Sequence, residues 1–137
     1  MGFPVAEHAP PPASAVRGAP VLVVHSNTAA RAAIGRLLEI AGFEVTACAT
    51  ATQALEHLQA CPSAAMVVDY MLDDMSGFAL VHACHAANVT PAIVMTAARG
   101  EISAAVRAVR EGVSDFLPGA PDARIVQAVR AALRKVN

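Results

Sequence analysis

Three features of the sequence predict an α/β protein whose parallel sheet is covered by helices on both faces. From residue 20 onward, five short apolar runs alternate with five helix-period segments, and strict alternation of that kind makes the strands parallel and lays crossover helices over them. Two of the runs, Ala64–Val68 and Pro91–Met95, are apolar throughout, as strands buried on both faces are. The length, 137 residues, suits one domain that buries roughly two-thirds of its unfolded surface.

Each element has its own signal. Residues 1–19 mix Pro4, Pro10, Pro11 and Pro12 with alanine and glycine, up to Pro20. They are expected to form a flexible leader ahead of a domain spanning 20–137, because they offer too little apolar surface to offset the entropy of ordering. They lack the basic and apolar regions of a signal peptide, and Ala6 stands where a myristoylation signal wants Ser or Thr. The first strand, Val21–Val24, ends in His25-Ser26-Asn27; a helix follows with Ile34, Leu37, Leu38 and Ala41 on one face, and Gly42 stops it. Phe43, Val45 and Ala47 alternate as a half-buried strand does. Thr50 and Gln53 make a capping-box pattern before Ala54, Leu55 and Leu58, and Pro62 closes that helix. The third strand, Ala64–Val68, terminates in Asp69. After the loop Tyr70–Ser76, a helix runs from about Gly77 to Ala87, and the fourth strand, Pro91–Met95, ends in Thr96. Residues 101–111 read as a helix with Ile102, Ala105, Val106 and Val109 inward, and Ser114–Leu117 as a fifth strand. The last helix is expected to start at Asp122 as its N-cap, burying Ile125, Val126, Val129 and Leu133.

Right-handed crossovers leave few topologies for five such units, and the default is the flavodoxin-like order 2-1-3-4-5 of a doubly wound (βα)5 sheet. Ligands of such sheets bind outside the carboxyl ends of the strands, where the strand order reverses. The residues delivered to that rim are His25, Ser26, Asp69 and Thr96, with Gly119 and Ala120 after the fifth strand. Asp69 is the sharpest signal: a carboxylate capping an apolar strand is a candidate nucleophile toward a phosphoryl donor. The alternative is an exposed turn acid that helps end the strand.

Composition excludes several classes. Ten Lys and Arg against eleven Asp and Glu give a net charge of −1, which lacks the basic excess of a nucleic-acid or membrane-surface binder. The apolar runs fall short of the ~20 residues of a bilayer span. Cys48, Cys61 and Cys84 are an odd, scattered set that suggests neither a disulfide framework nor a zinc motif. A cytoplasmic globular domain is expected. His82 with His85 around Cys84, and His57 with Cys61, have helical ligand spacing but no third ligand nearby, so solvated helix faces explain them better. Asp73 and Asp74 read first as solvated turn acids and second as a displaced metal ligand. No glycine-rich phosphate loop follows the first strand, which argues against a nucleotide or flavin enzyme.

From Val21 to about Lys135 the chain resembles the receiver domain of two-component response regulators. The resemblance rests on Val21-Leu22-Val23-Val24, on Asp69-Tyr70-Met71-Leu72-Asp73-Asp74-Met75-Ser76-Gly77, on Pro91-Ala92-Ile93-Val94-Met95-Thr96-Ala97 and on the stretch from Ala105 to Pro118. That last stretch resembles receivers of nitrogen-fixation and nodulation transcription regulators. The resemblance implies that Asp69 is the phosphoacceptor, Thr96 the switch hydroxyl that turns toward the phosphate, and Phe116 the aromatic that reports the turn. It also implies a signalling module rather than an enzyme, with a histidine kinase or signalling target as partner. A homodimer through the fourth helix, fifth strand and fifth helix is implied too, where Arg107, Arg110, Glu111, Arg124 and Arg130 are candidates for interchain ion pairs.

Two features of the family are missing. Its first strand ordinarily ends in a pair of acids that hold Mg2+; here the pair is His25-Ser26, and no Asp or Glu lies between Glu7 and Glu39. Its lysine after the fifth strand is replaced by Gly119, and Lys135 is the only lysine in the sequence. Mg2+ is usually anchored by one or two carboxylates, and phosphoryl transfer depends on neutralising charge on the moving group. The expectation is therefore no bound cofactor, impaired Mg2+-dependent phosphorylation, and a role as a protein-interaction or dimerisation switch. The alternative is a conventional phosphoaccepting receiver. A protonated His25, or Arg99 from the following loop, would be the compensating cation, and a nitrogen-preferring metal on His25 and Asp69 is a remoter option.

Overall fold

The computed structural model describes residues 18–97 and 102–135; residues 1–17, Arg99 and the side chain of Ile102 lie outside what is described. The chain runs through β1 (Pro20–Val24), α1 (Thr28–Ile40), β2 (Glu44–Cys48), α2 (Ala51–Ala60), β3 (Ala65–Asp69), α3 (Gly77–Ala86), β4 (Ala92–Ala97), α4 (Ile102–Arg110), β5 (Asp115–Pro118) and α5 (Arg124–Lys135). The strands form one parallel sheet in the order β2-β1-β3-β4-β5, which is the order the alternation of elements predicts.

Alternation along the central strands feeds two apolar layers. Leu22, Val24, Met66, Val68, Ile93 and Met95 face α2, α3 and α4, where they meet Leu58, Phe78, Val81 and Ala108. Val21, Val23, Ala65, Val67 and Val94 face α1 and α5, where they meet Ile34, Leu38, Ile125 and Val129. Each fully buried Leu, Val or Phe side chain contributes ~1.5–3 kcal/mol through removal from water, and most of them sit on β1, β3 and β4. The strands that carry the site are therefore the most firmly held part of the sheet.

Helix starts follow side-chain chemistry. Asn27 Oδ1 accepts the Ala30 N–H at 2.8 Å and Ser76 Oγ accepts the Ala79 N–H at 3.1 Å, each satisfying a free donor of a first turn. Thr50 Oγ1 accepts from Gln53 N–H at 3.2 Å, but Gln53 reaches back to the N–H of Ala49 instead of Thr50. That is a capping box displaced by one residue.

Two expectations fail. Val106 and Val109 on α4 are 51% and 80% exposed, and Ala108, at 1%, makes the contact with the core. Arg107 explains the rotation: its guanidinium lies 4.5 Å over the Phe78 ring, which turns the valine face of α4 outward. Cys84 is buried in the core, not on a solvated face; only its neighbours His82 and His85 are exposed.

Candidate functional site

Strand register brings the predicted residues together. Val24 pairs with Val68, and Asp69 with Thr96, so the first residue past β1 stands beside the last residue of β3. The Thr96 hydroxyl donates to Asp69 Oδ1 at 2.9 Å, and the backbone N–H of Met71 donates to Oδ2 at 3.1 Å. Both side chains lie among the few buried polar groups, Asp69 at 7% and Thr96 at 5% exposure. The loop after β3 is tied down by Tyr70 N–H to Thr96 O at 2.7 Å and Gly77 N–H to Tyr70 O at 2.8 Å.

His25 is the third member, with Nε2 3.3 Å from Asp69 Oδ1. Its other ring nitrogen, Nδ1, accepts the Asn27 N–H at 3.1 Å. The backbone of His25 is held on both sides: its N–H donates to Cys48 O at 3.2 Å, and its C=O accepts from Arg31 Nη1 at 2.8 Å. Ser26, beside it, is partly buried.

Sequence reasoning missed two residues that shape this rim. Gly77 is needed for close approach: a Cβ there would lie 2.5 Å from the Asp69 carbonyl oxygen. Asp74 is not a free turn acid. Its carboxylate accepts the Ala51 and Thr52 N–H groups, both at 3.0 Å, and the Thr52 hydroxyl at 2.9 Å. These hydrogen bonds, that from Ala51 foremost, lower its pKa and fasten the loop of Asp69 to the N-terminus of α2. The capping pattern at Thr50 was the only signal in the sequence that this helix end takes such partners.

The family assignment is direct. The sequence profile described as the response regulator receiver domain matches residues 21–130. The chain belongs to the response regulator receiver domain family. It is 33% identical over 117 residues to the C4-dicarboxylate transport transcriptional regulatory protein DctD of Rhizobium meliloti, covering 84% of this chain and 25% of that protein. Against the transcriptional regulatory protein FixJ of Azorhizobium caulinodans it is 31% identical over 115 residues, covering 83% and 54%. The chain thus spans about a quarter to a half of the length of these relatives. Among solved structures, NtrX from Brucella abortus superposes with a TM-score of 0.79 at 26% identity over 85% of this chain and 28% of that one. A response regulator receiver domain protein from Clostridium thermocellum does so with 0.78 at 23%, over 86% and 96%.

This receiver is a signalling module of two-component response regulators, and its relatives above are transcriptional regulators. Among the described residues no helix is long and apolar enough to cross a membrane. The Mg2+ that such domains use does not fit the donors present. Mg2+ demands octahedral oxygen ligation with carboxylate anchors. Beside Asp69 the end of β1 supplies His25 and Ser26 instead of acids, with His25 Nε2 3.3 Å from Asp69 Oδ1, and the oxygens of Asp74 accept from the N–H groups of Ala51 and Thr52. Among the described residues there is no group of three His, Cys, Asp or Glu able to hold a metal ion. A nitrogen-preferring metal would find His25 Nε2 and Asp69 Oδ1 3.3 Å apart, with no third such ligand grouped with them among the described residues.

At the lysine position, Gly119 has φ +98° and its N–H donates to Ala97 O at 2.8 Å. Arg124, whose Nη2 would lie 3.5 Å from a Cβ at Gly119, is held by the Pro118 carbonyl at 2.8 Å and by both oxygens of Asp122 at 2.9 and 3.1 Å. Its charge is already paired. Phe116 stands on β5, half-buried, in register with Met95, one residue before Thr96 on β4.

Proposed function

We propose that this chain is an atypical receiver that acts mainly as a protein-interaction or dimerisation switch, with Mg2+-dependent phosphorylation of Asp69 impaired. One observation carries the reading: a histidine, not an acid, faces Asp69 at the end of β1. Among the described residues no acid at the end of β1 stands ready to anchor a cation, so the charge on an incoming phosphoryl group lacks that compensation. Loss of one well-aimed electrostatic donor typically raises a barrier by ~3 kcal/mol, and losing both the metal anchors and the lysine costs more, though less than additively.

In this reading Asp69 remains a site of slow modification, Thr96 and Phe116 form the switch pair, and output passes through α4, β5 and α5. The outward Val106 and Val109 on α4 support that face as the contact with a second copy or a signalling partner. Glu111 and Arg124 add little to it, because Glu111 is already engaged by His82 and Arg107 and Arg124 by Asp122. The partner is a histidine kinase or signalling target in the cytoplasm, with no direct role for nucleic acid or membrane. A conventional phosphoacceptor, modified at Asp69 by a histidine kinase, is the second reading, favoured by the Thr96 hydroxyl on Oδ1.

Intact mass after incubation with a small phosphodonor and Mg2+ separates the two, with Asp69→Asn as control. The proposal expects little addition to the native chain and a gain in the His25→Asp, Ser26→Asp double variant. Stoichiometric, Asp69-dependent addition to the native chain would establish the conventional receiver instead. Gly119→Lys is left out of the double variant because a side chain at φ +98° is strained.

A further inference from the structure

We infer that a second copy of this chain docks head to tail, the valine–arginine surface of α4 meeting the acidic edge formed by β2 and the end of α1. The inference rests on the reading of α4, β5 and α5 as the contact face, and it names the surface which that face meets.

Charge is divided between the two edges of the sheet. No Lys or Arg occurs from residue 37 to residue 98, a stretch that contains Glu39, Glu44, Glu56, Asp69, Asp73 and Asp74. Helices α4 and α5 carry six Lys and Arg and no acid. The edge strands are β2 and β5, with α1 packed on β2 and α4 on β5. A net charge of −1 thus covers two unlike edges. The departures are Arg36, one turn before Ile40, and Glu111 and Asp115 beside α4. Glu111 is engaged by His82 and Arg107, and Asp115 accepts the N–H of Phe116. Arg110 on α4 is exposed and has no ion-pair partner among the described residues.

Each edge also exposes apolar side chains. Among the described residues the exposed large hydrophobics are Val106 and Val109 on α4, Ile40 at the end of α1, and Met71. Val109 and Ile40 are 80% and 78% exposed; exposed Glu39 precedes Ile40, and exposed Glu44 follows the turn after it. Apolar side chains bordered by charge suit a protein contact, in which the charges select the partner. A symmetric contact of α4 with α4 would set Arg110 near its own copy, with the acids of that face already engaged. The head-to-tail contact brings basic to acidic and apolar to apolar. Because the two surfaces lie on different edges, each added copy leaves one of each open, and association continues beyond a dimer.

Sedimentation velocity on the full 137-residue chain, across a concentration series, tests this with two neutralising variants. Val109→Gln, Arg110→Gln removes the α4 surface, and Ile40→Gln, Glu44→Gln removes the acidic edge. All four side chains are exposed, and thermal unfolding checks that both variants keep the native midpoint. The native chain is expected to pass beyond dimer as concentration rises and to fall back toward monomer at ~1 M salt, where charges are screened within about 3 Å. Each variant alone is expected to stay monomeric. Their equimolar mixture is expected to form one-to-one dimers and stop there, since each supplies the surface the other lacks. Association lost in the α4 variant but kept in the acidic-edge variant would overturn head-to-tail docking in favour of a symmetric α4 contact, leaving the contact face in place. Association kept in the α4 variant would sink that face as well. A native chain monomeric at every concentration would overturn the inference and leave α4 to a different partner.

Discussion

At Gly77 the backbone passes so close to Asp69 that a single methyl group would collide with the carbonyl of the candidate phosphoacceptor, at 2.5 Å, and press on the Met95 methyl at 3.2 Å. Backbone cannot yield as a flexible side chain can. Gly77→Ala is therefore expected to destabilise the fold by ~1–3 kcal/mol, read by urea unfolding, and to shift the amide signals of Asp69 and Tyr70. An unchanged midpoint would show that the loop relaxes without cost. Asp69, Thr96 and His25 were legible in the sequence because each stands just where an apolar run stops, and topology alone brings strand ends to one rim. The role of Gly77 was not: its partner is a carbonyl eight residues earlier, and only the folded loop shows how near it comes. The contact of the Asn27 N–H with His25 Nδ1 was equally hidden, since it depends on the turn after β1.

The loop carrying Asp69 and the helix α2 are joined by Asp74, and that junction gives a pH dependence. The N–H of Ala51, followed by the groups of Thr52, holds the Asp74 carboxyl below its ordinary pKa. A carboxyl whose folded pKa is below its unfolded value adds stability above the unfolded value and loses it as the pH falls through the folded one. Asp74→Asn is expected to be less stable than the native chain at pH 7, by about 1 kcal/mol or less given solvent screening. The gap should narrow below about pH 4; unfolding curves at several pH values decide, and a gap independent of pH would contradict the ionic cap. No sequence pattern exposes this pair, because the partners are 22 and 23 residues apart. On α4 the difficulty was different. Its apolar periodicity is real, but periodicity identifies an apolar face without saying what covers it. Arg107 on Phe78 and Ala108 in the core turn Val106 and Val109 away from the sheet.

For the whole molecule, two features combine: a sheet end whose carboxylate is satisfied by protein donors, and an outward apolar face one layer away. The strand order and both helical layers follow from alternation of elements and from strands apolar on both faces, so the architecture was readable from sequence with small errors at element ends. The proposed association runs through the outer valines. Val109→Glu should shift any dimer toward monomer in sedimentation velocity while leaving the thermal midpoint nearly unchanged, since that side chain is 80% exposed; a dimer indifferent to the change would place the contact elsewhere. Calorimetric titration with Mg2+ reaches the electrostatics of the pocket most directly. The native chain is predicted to give no saturable heat at millimolar Mg2+, and the His25→Asp, Ser26→Asp variant a one-to-one isotherm; one-to-one binding by the native chain, lost in Asp69→Asn, would contradict the account.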